Sequence, residues 1–158
     1  DVDGRPMIWV QMALTEVAKL TPSLAVRNTW LAQDATLRSS DEANRQGLCF
    51  VYDLRGVGLK NVSFNPRYLS TAIRGATSHP MHISRVWMVD APAVFWAAWK
   101  VGQGFLPAHV REVVHFIDTG ARDTPECFAP ICQASELPPY LGGDERVGGS
   151  YSEWMFKQ

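Results

Sequence analysis

Hydrophobic positions in this chain fall into two rhythms, short unbroken runs and helical stripes, and the two alternate. Met7-Ile8-Trp9-Val10-Gln11-Met12 is short, apolar and rich in β-branched or aromatic side chains, which predicts a strand. Thr21-Pro22-Ser23 reads as a helix entry, and Leu24, Val26, Trp30, Leu31 and Leu37 carry a helical stripe to about Ser39. Gly47 separates that helix from a second strand, Leu48-Cys49-Phe50-Val51-Tyr52-Asp53. Arg55-Gly56-Val57-Gly58 is a turn. Asn65-Pro66 opens a second helix with Tyr68, Leu69, Ala72 and Ile73 on one face, and Ser78-His79-Pro80 ends it. A third strand runs from Ile83 to Val89 and a fourth from Val113 to Ile117. Between them Pro92 starts a helix crowded with rings, in which Phe95 and Trp99, and Val94 and Ala98, stand four apart. A short last helix is expected between Pro125 and Ala134, then a rigid turn, Leu137-Pro138-Pro139-Tyr140-Leu141-Gly142-Gly143.

Strands alternating with helices predict an α/β fold with a mostly parallel sheet and right-handed crossovers. Near-continuous apolar strands fit a sheet covered on both faces. Alternation along each strand then assigns faces. Leu48, Phe50 and Tyr52 point one way, Cys49 and Val51 the other; Val86 goes with Met88, and Val114 with Phe116. On spacing alone the Phe95/Trp99 stripe is core packing. Gly102 and Gly104, just before Phe105-Leu106, also allow a movable cover over an apolar cavity.

Composition narrows the function. The chain has 158 residues, 46% of them hydrophobic, with 6 Trp and a formal net charge of -1. That is about one domain, with no basic run to bind nucleic acid. No apolar stretch reaches the roughly 18 residues of a membrane span, and Asp1-Val2-Asp3-Gly4 is not a signal peptide. Opening at Asp1 rather than Met, the chain reads as a domain of a longer protein. Cys49, Cys127 and Cys132 lack a second Cys pair for zinc, so no metal or other cofactor is expected, and a reduced, cytoplasmic compartment is. Cys49, His115 and Asp53 are the nearest approach to a nucleophile set, but apolar neighbours would raise the Cys49 pKa rather than activate it. No enzyme activity is expected. Asp53 and Asp90 end strands, where Asp commonly caps the following turn.

The ordered motifs resemble those of the CRAL-TRIO lipid-binding domains, the cellular retinaldehyde-binding, tocopherol-transfer and yeast phospholipid-transfer group. They are Asp3-Gly4-Arg5-Pro6, Asp53 with Gly56, His79-Pro80 for the family's Tyr-Pro, Asp90-Ala91-Pro92 with Phe95, Phe105-Leu106, and Leu137-Pro138 with Gly142-Gly143. The resemblance implies one domain over residues 1–143 and a tail over 144–158 anchored by Trp154 and Phe156. It also implies a sheet floor, helical walls around one apolar pocket and a helical gate from Ala93 to about Leu106, with hinges at Gly102 and Gly104. A helical module would precede the domain in the full protein.

The implied activity is binding, and transfer between membranes, of a hydrophobic lipid, with transient contact at the membrane surface. Departures from the family pattern bear on the cargo. Phosphatidylinositol-binding relatives place Glu and Lys where Met81 and Val113 stand; phosphatidylcholine binders place Ser and Thr where Leu48 and Phe50 stand. Neither head-group site carries over. A sterol, isoprenoid, retinoid or fatty-acyl cargo is therefore favoured over a phosphoinositide, and a phospholipid stays among the candidate partners, as does a protein partner. The expected lining is Leu48, Phe50, Tyr52, His82, Val86, Met88, Phe95, Trp99, Phe105, Val114 and Phe116, with Tyr52 and His82 as polar tips. The alternative is a protein-interaction module, as in some regulators of small GTPases, with its cavity filled by its own side chains.

Overall fold

The computed structural model describes residues 1–39, 41–120 and 124–143. They form two compact units, Arg5–Asp118 and the described residues of 1–4 and 119–158. The first unit holds the sheet. Strands β1 (Met7–Gln11), β2 (Leu48–Asp53), β3 (Ile83–Val89) and β4 (Val114–Ile117) are parallel, in the order β1-β2-β3-β4. The connections carry α1 (Pro22–Ser39), α2 (Asp41–Gln46), α3 (Pro66–Ala76), α4 (Ala93–Gly102) and α5 (Ala108–Glu112). Sequential parallel order with crossovers of one hand lays the connecting helices on one face of the sheet. The mixed α/β architecture is the one the alternating pattern predicts.

Local chemistry sets the boundaries. Asn65 caps α3, its Oδ1 accepting from the amides of Arg67 (3.0 Å) and Tyr68 (3.4 Å), with Pro66 in the first turn. Asp53 ends β2 as a turn cap, accepting from the Arg55 amide at 3.1 Å and pairing with its guanidinium at 2.6 Å. Asp90 ends β3 at φ 50°, the one positive-φ residue other than glycine among those described.

Helix α2 was not anticipated, because Ala43 is its one buried residue and no stripe betrays it. Helix α5 is likewise too short to show a period. Val113 caps α5 instead of opening β4, and Met12 begins a 3-10 turn instead of ending β1. The short helix expected between Pro125 and Ala134 is a single 3-10 turn, Pro125–Phe128, and not an α-helix. Further 3-10 turns follow at Ala134–Glu136 and Pro139–Leu141. Residues 144–158, with Trp154 and Phe156, lie outside the described residues.

The register contains one irregularity that matters for the face assignments. Leu48 pairs with Ile83 but Cys49 pairs with Arg85, so Ser84 is an extra residue in β3. The bulge resets alternation, and Ile83 and Val86, three apart, both turn toward the helices.

Helices α1 and α3 pack closely because Gly75 has no side chain. A Cβ there would meet Val26 Cγ2 at 2.5 Å. Side chains of α1 then serve the C-terminal end of α3, where helix carbonyls lack partners. Trp30 Nε1 donates to the Gly75 carbonyl at 2.9 Å, Gln33 Nε2 to the Ala76 carbonyl at 3.5 Å, and Asp34 Oδ1 sits 2.9 Å from His79 Nε2.

In the second unit the Val2 amide donates to the Ile131 carbonyl at 3.0 Å. Gly143 is obligatory: a Cβ would lie 1.7 Å from the Leu137 carbonyl oxygen, which ties the two ends of the Leu137-Pro138…Gly142-Gly143 motif together. Burial, with the Glu136 carboxylate adding to it, pushes the Cys132 thiol up to about 11, so it behaves as a small packed hydrophobe. Among the described residues no disulfide joins the cysteines.

Candidate functional site

Inward residues of all four strands face α1, α3 and α4 across a cavity of about 480 Å³. Ile8, Phe50, Tyr52, Val86, Met88 and Val114 make the floor. The walls come from Thr29, Ala32 and Gln33 on α1, Leu69, Ala72, Ile73 and Ala76 on α3, and Phe95, Ala98 and Trp99 on α4. The volume lies within the range typical of small-molecule sites, roughly 300–1,000 Å³.

Among the described residues, no Asp, Glu, Lys, Arg or His lines the cavity. A charge buried there would have no partner, at a cost of several kcal/mol. Several of the polar lining residues have their hydrogen bonds committed. Asn61, 1% exposed, donates to the Ala13 and Thr15 carbonyls at 3.0 and 2.7 Å and accepts from the Gly58 amide at 2.8 Å. Thr29 Oγ1 donates to the Ala25 carbonyl and Thr77 Oγ1 to the Ile73 carbonyl. Burial pushes the Tyr52 hydroxyl up to about 12, so it stays a neutral donor and acceptor. Tyr52 stacks on Phe50, ring centroids 6.1 Å apart.

The structure brings Phe50, Tyr52, Val86, Met88, Phe95, Trp99 and Val114 together at the cavity, with Gly102 beside them. It places the other expected residues elsewhere. Leu48 faces the helix side but is sealed into the core with Ala43, at the start of its strand. His82 is exposed in the loop before β3, where its carbonyl accepts from the Leu48 amide, so it gives the cavity no polar tip. Phe105 is half-buried off the wall, and Leu106 takes that place. Phe116 shares a face with Val114 but lies beyond the cavity. It is 38% exposed and stacks on Trp96 at 4.4 Å and edge-on to Trp99 at 5.5 Å. Gly104 sits in the 3-10 turn Gln103–Phe105 with nothing within 4 Å of a would-be Cβ.

Met81 and Val113 pack against the core and do not line the cavity. Cys49, His115 and Asp53 do not meet. Cys49 and Asp53 are separated by about 13 Å along β2, and His115 pairs with Trp87 on β3. Among the described residues no cluster of three metal-ligating side chains forms, and no helix is long and apolar enough to cross a membrane.

The resemblance implied helical walls, but the expected lining named no residue of α1 or α3. Their signal was present as Ala25-Thr29-Ala32 and Leu69-Ala72-Ile73-Ala76, small or apolar residues at helical spacing.

A parallel sheet with a helical layer over an apolar cavity is joined by a sequence match: the CRAL/TRIO domain profile covers residues 1–143. The chain belongs to the CRAL/TRIO domain family. This CRAL/TRIO chain is 25% identical over 161 residues to the Sec14 cytosolic factor of Schizosaccharomyces pombe, covering 94% of this chain and 55% of that protein. It is 27% identical over 95 residues to the phosphatidylinositol/phosphatidylcholine transfer protein SFH12 of Arabidopsis thaliana, covering 59% of this chain and 17% of that protein. Protein real-time of Drosophila pseudoobscura pseudoobscura is 22% identical over 176 residues, with 99% of this chain and 26% of that protein covered. The chain thus spans about half the length of the first relative and less of the others.

Proposed function

We propose that this CRAL/TRIO domain, residues 1–143, holds one small hydrophobic lipid in the cavity between its sheet and helices and carries it between membranes. The observation that carries this reading is the uncharged lining of a 480 Å³ cavity in a chain with a relative named for phospholipid transfer. The cargo classes it favours are sterol, isoprenoid, retinoid and fatty-acyl. The domain acts as a carrier, with no reaction assigned to it. A self-filled cavity, expected of a pure protein-interaction module, has the cavity volume against it. Because Trp99 lines the cavity, cargo uptake is expected to change tryptophan emission saturably. A panel of apolar ligands that leaves the emission unchanged would sink the reading.

Cargo selectivity follows from the same lining. With no cation among the described lining residues, phosphatidylinositol is expected to be a poor cargo. In a vesicle-to-vesicle assay its transfer should stay near the protein-free rate. Phosphatidylinositol emerging as preferred cargo would show that another polar set serves the head group.

We further read Ala93 to Leu106 as the gate. Phe95 and Trp99, stacked at 6.1 Å, face the cavity, while Trp96, 41% exposed, faces out against Phe116. An exposed indole beside an apolar cover suits the lipid–water interface. Gly102 is helical at φ -69° and ψ -39°, and a Cβ there would sit 3.4 Å from the flexible end of Ile73. Neither Gly102 nor Gly104 has a positive φ, so neither is a left-handed helix cap. Gly102→Ala with Gly104→Ala is expected to hold or raise the melting temperature while slowing cargo exchange. Unchanged exchange kinetics would remove the hinge from the account.

A further inference from the structure

Large hydrophobic side chains left in water are scattered singly on most proteins, but the two most exposed among the described residues here share one place. Leu14 is 77% exposed and Leu59 75%. Leu14 lies between Ala13 and Thr15, whose carbonyls both accept from Asn61 Nδ2, and Leu59 opens the 3-10 turn Leu59–Asn61 that Asn61 ends. Asn61 is buried, and its Oδ1 accepts from the Gly58 amide. One committed side chain thus fastens the loop after β1 to the loop after β2 and leaves a leucine of each in solvent. Neither loop can turn its leucine inward without breaking that clasp. Phe64, three residues beyond Asn61, is exposed as well.

Charge on the same two loops is one-sided. Over residues 12–20 and 54–68 the cations are Lys19, Arg55, Lys60 and Arg67, and the one carboxylate is Glu16. Glu16 pairs with Lys19 at 2.6 Å, and Arg55 pairs with Asp53. Lys60 and Arg67 are exposed with no ion pair among the described residues, in a chain of formal net charge -1. The inner side of these loops belongs to the cavity. Thr15, Val17, Leu20, Val62 and Ser63 line it, and the lining reaches the surface at Asn28 on α1. Apolar knobs beside unpaired cations fit a surface that is apolar beneath a negative layer, which is the interface of a bilayer holding anionic lipid.

We propose that the loops after β1 and β2 dock on an anionic membrane, with Leu14, Leu59 and Phe64 entering the acyl boundary and Lys60 and Arg67 meeting the lipid phosphates and carboxylates. The docking stands on exposure and charge. Its purpose, bringing a cavity wall to the bilayer that supplies or receives cargo, rests on the carrier reading. Because all four strands are parallel, these loops leave the sheet at the same end as the lead-in from β3 to α4. The docking face is separate from Trp96 and Phe116 in sequence and shares an end of the sheet with the start of the gate helix.

Co-flotation of the whole chain with phosphatidylcholine vesicles, with and without phosphatidylserine, tests this. The parent is expected to bind phosphatidylserine vesicles about tenfold or more tightly than neutral ones, and added salt should shrink the difference. Leu14→Gln with Leu59→Gln is expected to weaken binding to both kinds about tenfold or more, through two lost apolar insertions. Lys60→Gln with Arg67→Gln is expected to cut the preference for phosphatidylserine about tenfold and leave binding to neutral vesicles at the parent's level. All four side chains are exposed and outside the cavity lining, so both variants should keep the parent's melting temperature and its cargo affinity read from tryptophan emission without vesicles. A parent that floats with neither kind of vesicle, or variants that float as the parent does, would overturn the docking face, and cargo uptake by the same protein would leave the carrier reading intact. Self-association that the leucine substitutions abolish while vesicle binding is unchanged would assign the leucines to a second copy and overturn it too. Vesicle binding that both variants lose, in a chain that takes up no cargo, would uphold the docking face and sink the carrier reading.

Discussion

Ala72→Trp is expected to abolish cargo retention and leave the fold standing. Ala72 sits on the cavity wall of α3, opposite the strand floor, so a larger side chain there grows into space that no protein atom occupies. Overpacking usually costs about 1–3 kcal/mol because neighbours must move. Here the indole meets an existing void and adds buried apolar contact, so the melting temperature should hold or rise. The ligand loses the same volume and should bind at least tenfold more weakly. Parent-like affinity in a folded Ala72→Trp would mean the cavity is not where cargo sits.

Phe50→Ala is the second large effect, and it falls on both stability and binding. Phe50 is 4% exposed, pairs in register with Ile8 and Val86, and stacks on Tyr52. Removing a buried ring typically costs about 3–5 kcal/mol. The lower end is expected, because one side of this ring already faces the cavity and has fewer protein contacts to lose. Urea denaturation measures the stability loss, and a cargo titration of the folded variant measures the enlarged, less complementary floor. A midpoint and an affinity both equal to the parent's would contradict the assignment of Phe50 to the floor.

The elements with a strong period or a strong cap were legible in the sequence. β2 and β3 begin and end where their apolar runs do, and α3 starts where Asn65-Pro66 says it must. Elements without a period were not: α2 buries Ala43 alone, α5 is one turn long, and the stretch after Pro125 makes isolated turns. For the cavity, strand alternation found the floor at Phe50, Tyr52, Val86, Met88 and Val114. It overreached where a correct face runs past the cavity's edge, at Leu48 and Phe116. Alternation gives a direction and no distance along the strand.

The polar end was the least legible part. His82 was a reasonable expectation for its chemistry, but a loop residue one position before β3 has no strand geometry to aim it. Gln33 lay in a helix read only for its apolar stripe. Its hydrogen bond depends on Ala76, 43 residues away in sequence, and on Gly75 letting the two helices approach. Such a group becomes visible only when its hydrogen bonds are counted in space.

Native mass spectrometry of the purified chain, before and after extraction with organic solvent, decides whether this domain holds one hydrophobic molecule. A species heavier than the chain by the mass of a single small lipid is expected, which extraction removes and which returns when the protein is incubated with vesicles containing that lipid. A chain that flies at its bare mass throughout, and gains nothing from vesicles of any of the four cargo classes, would contradict it.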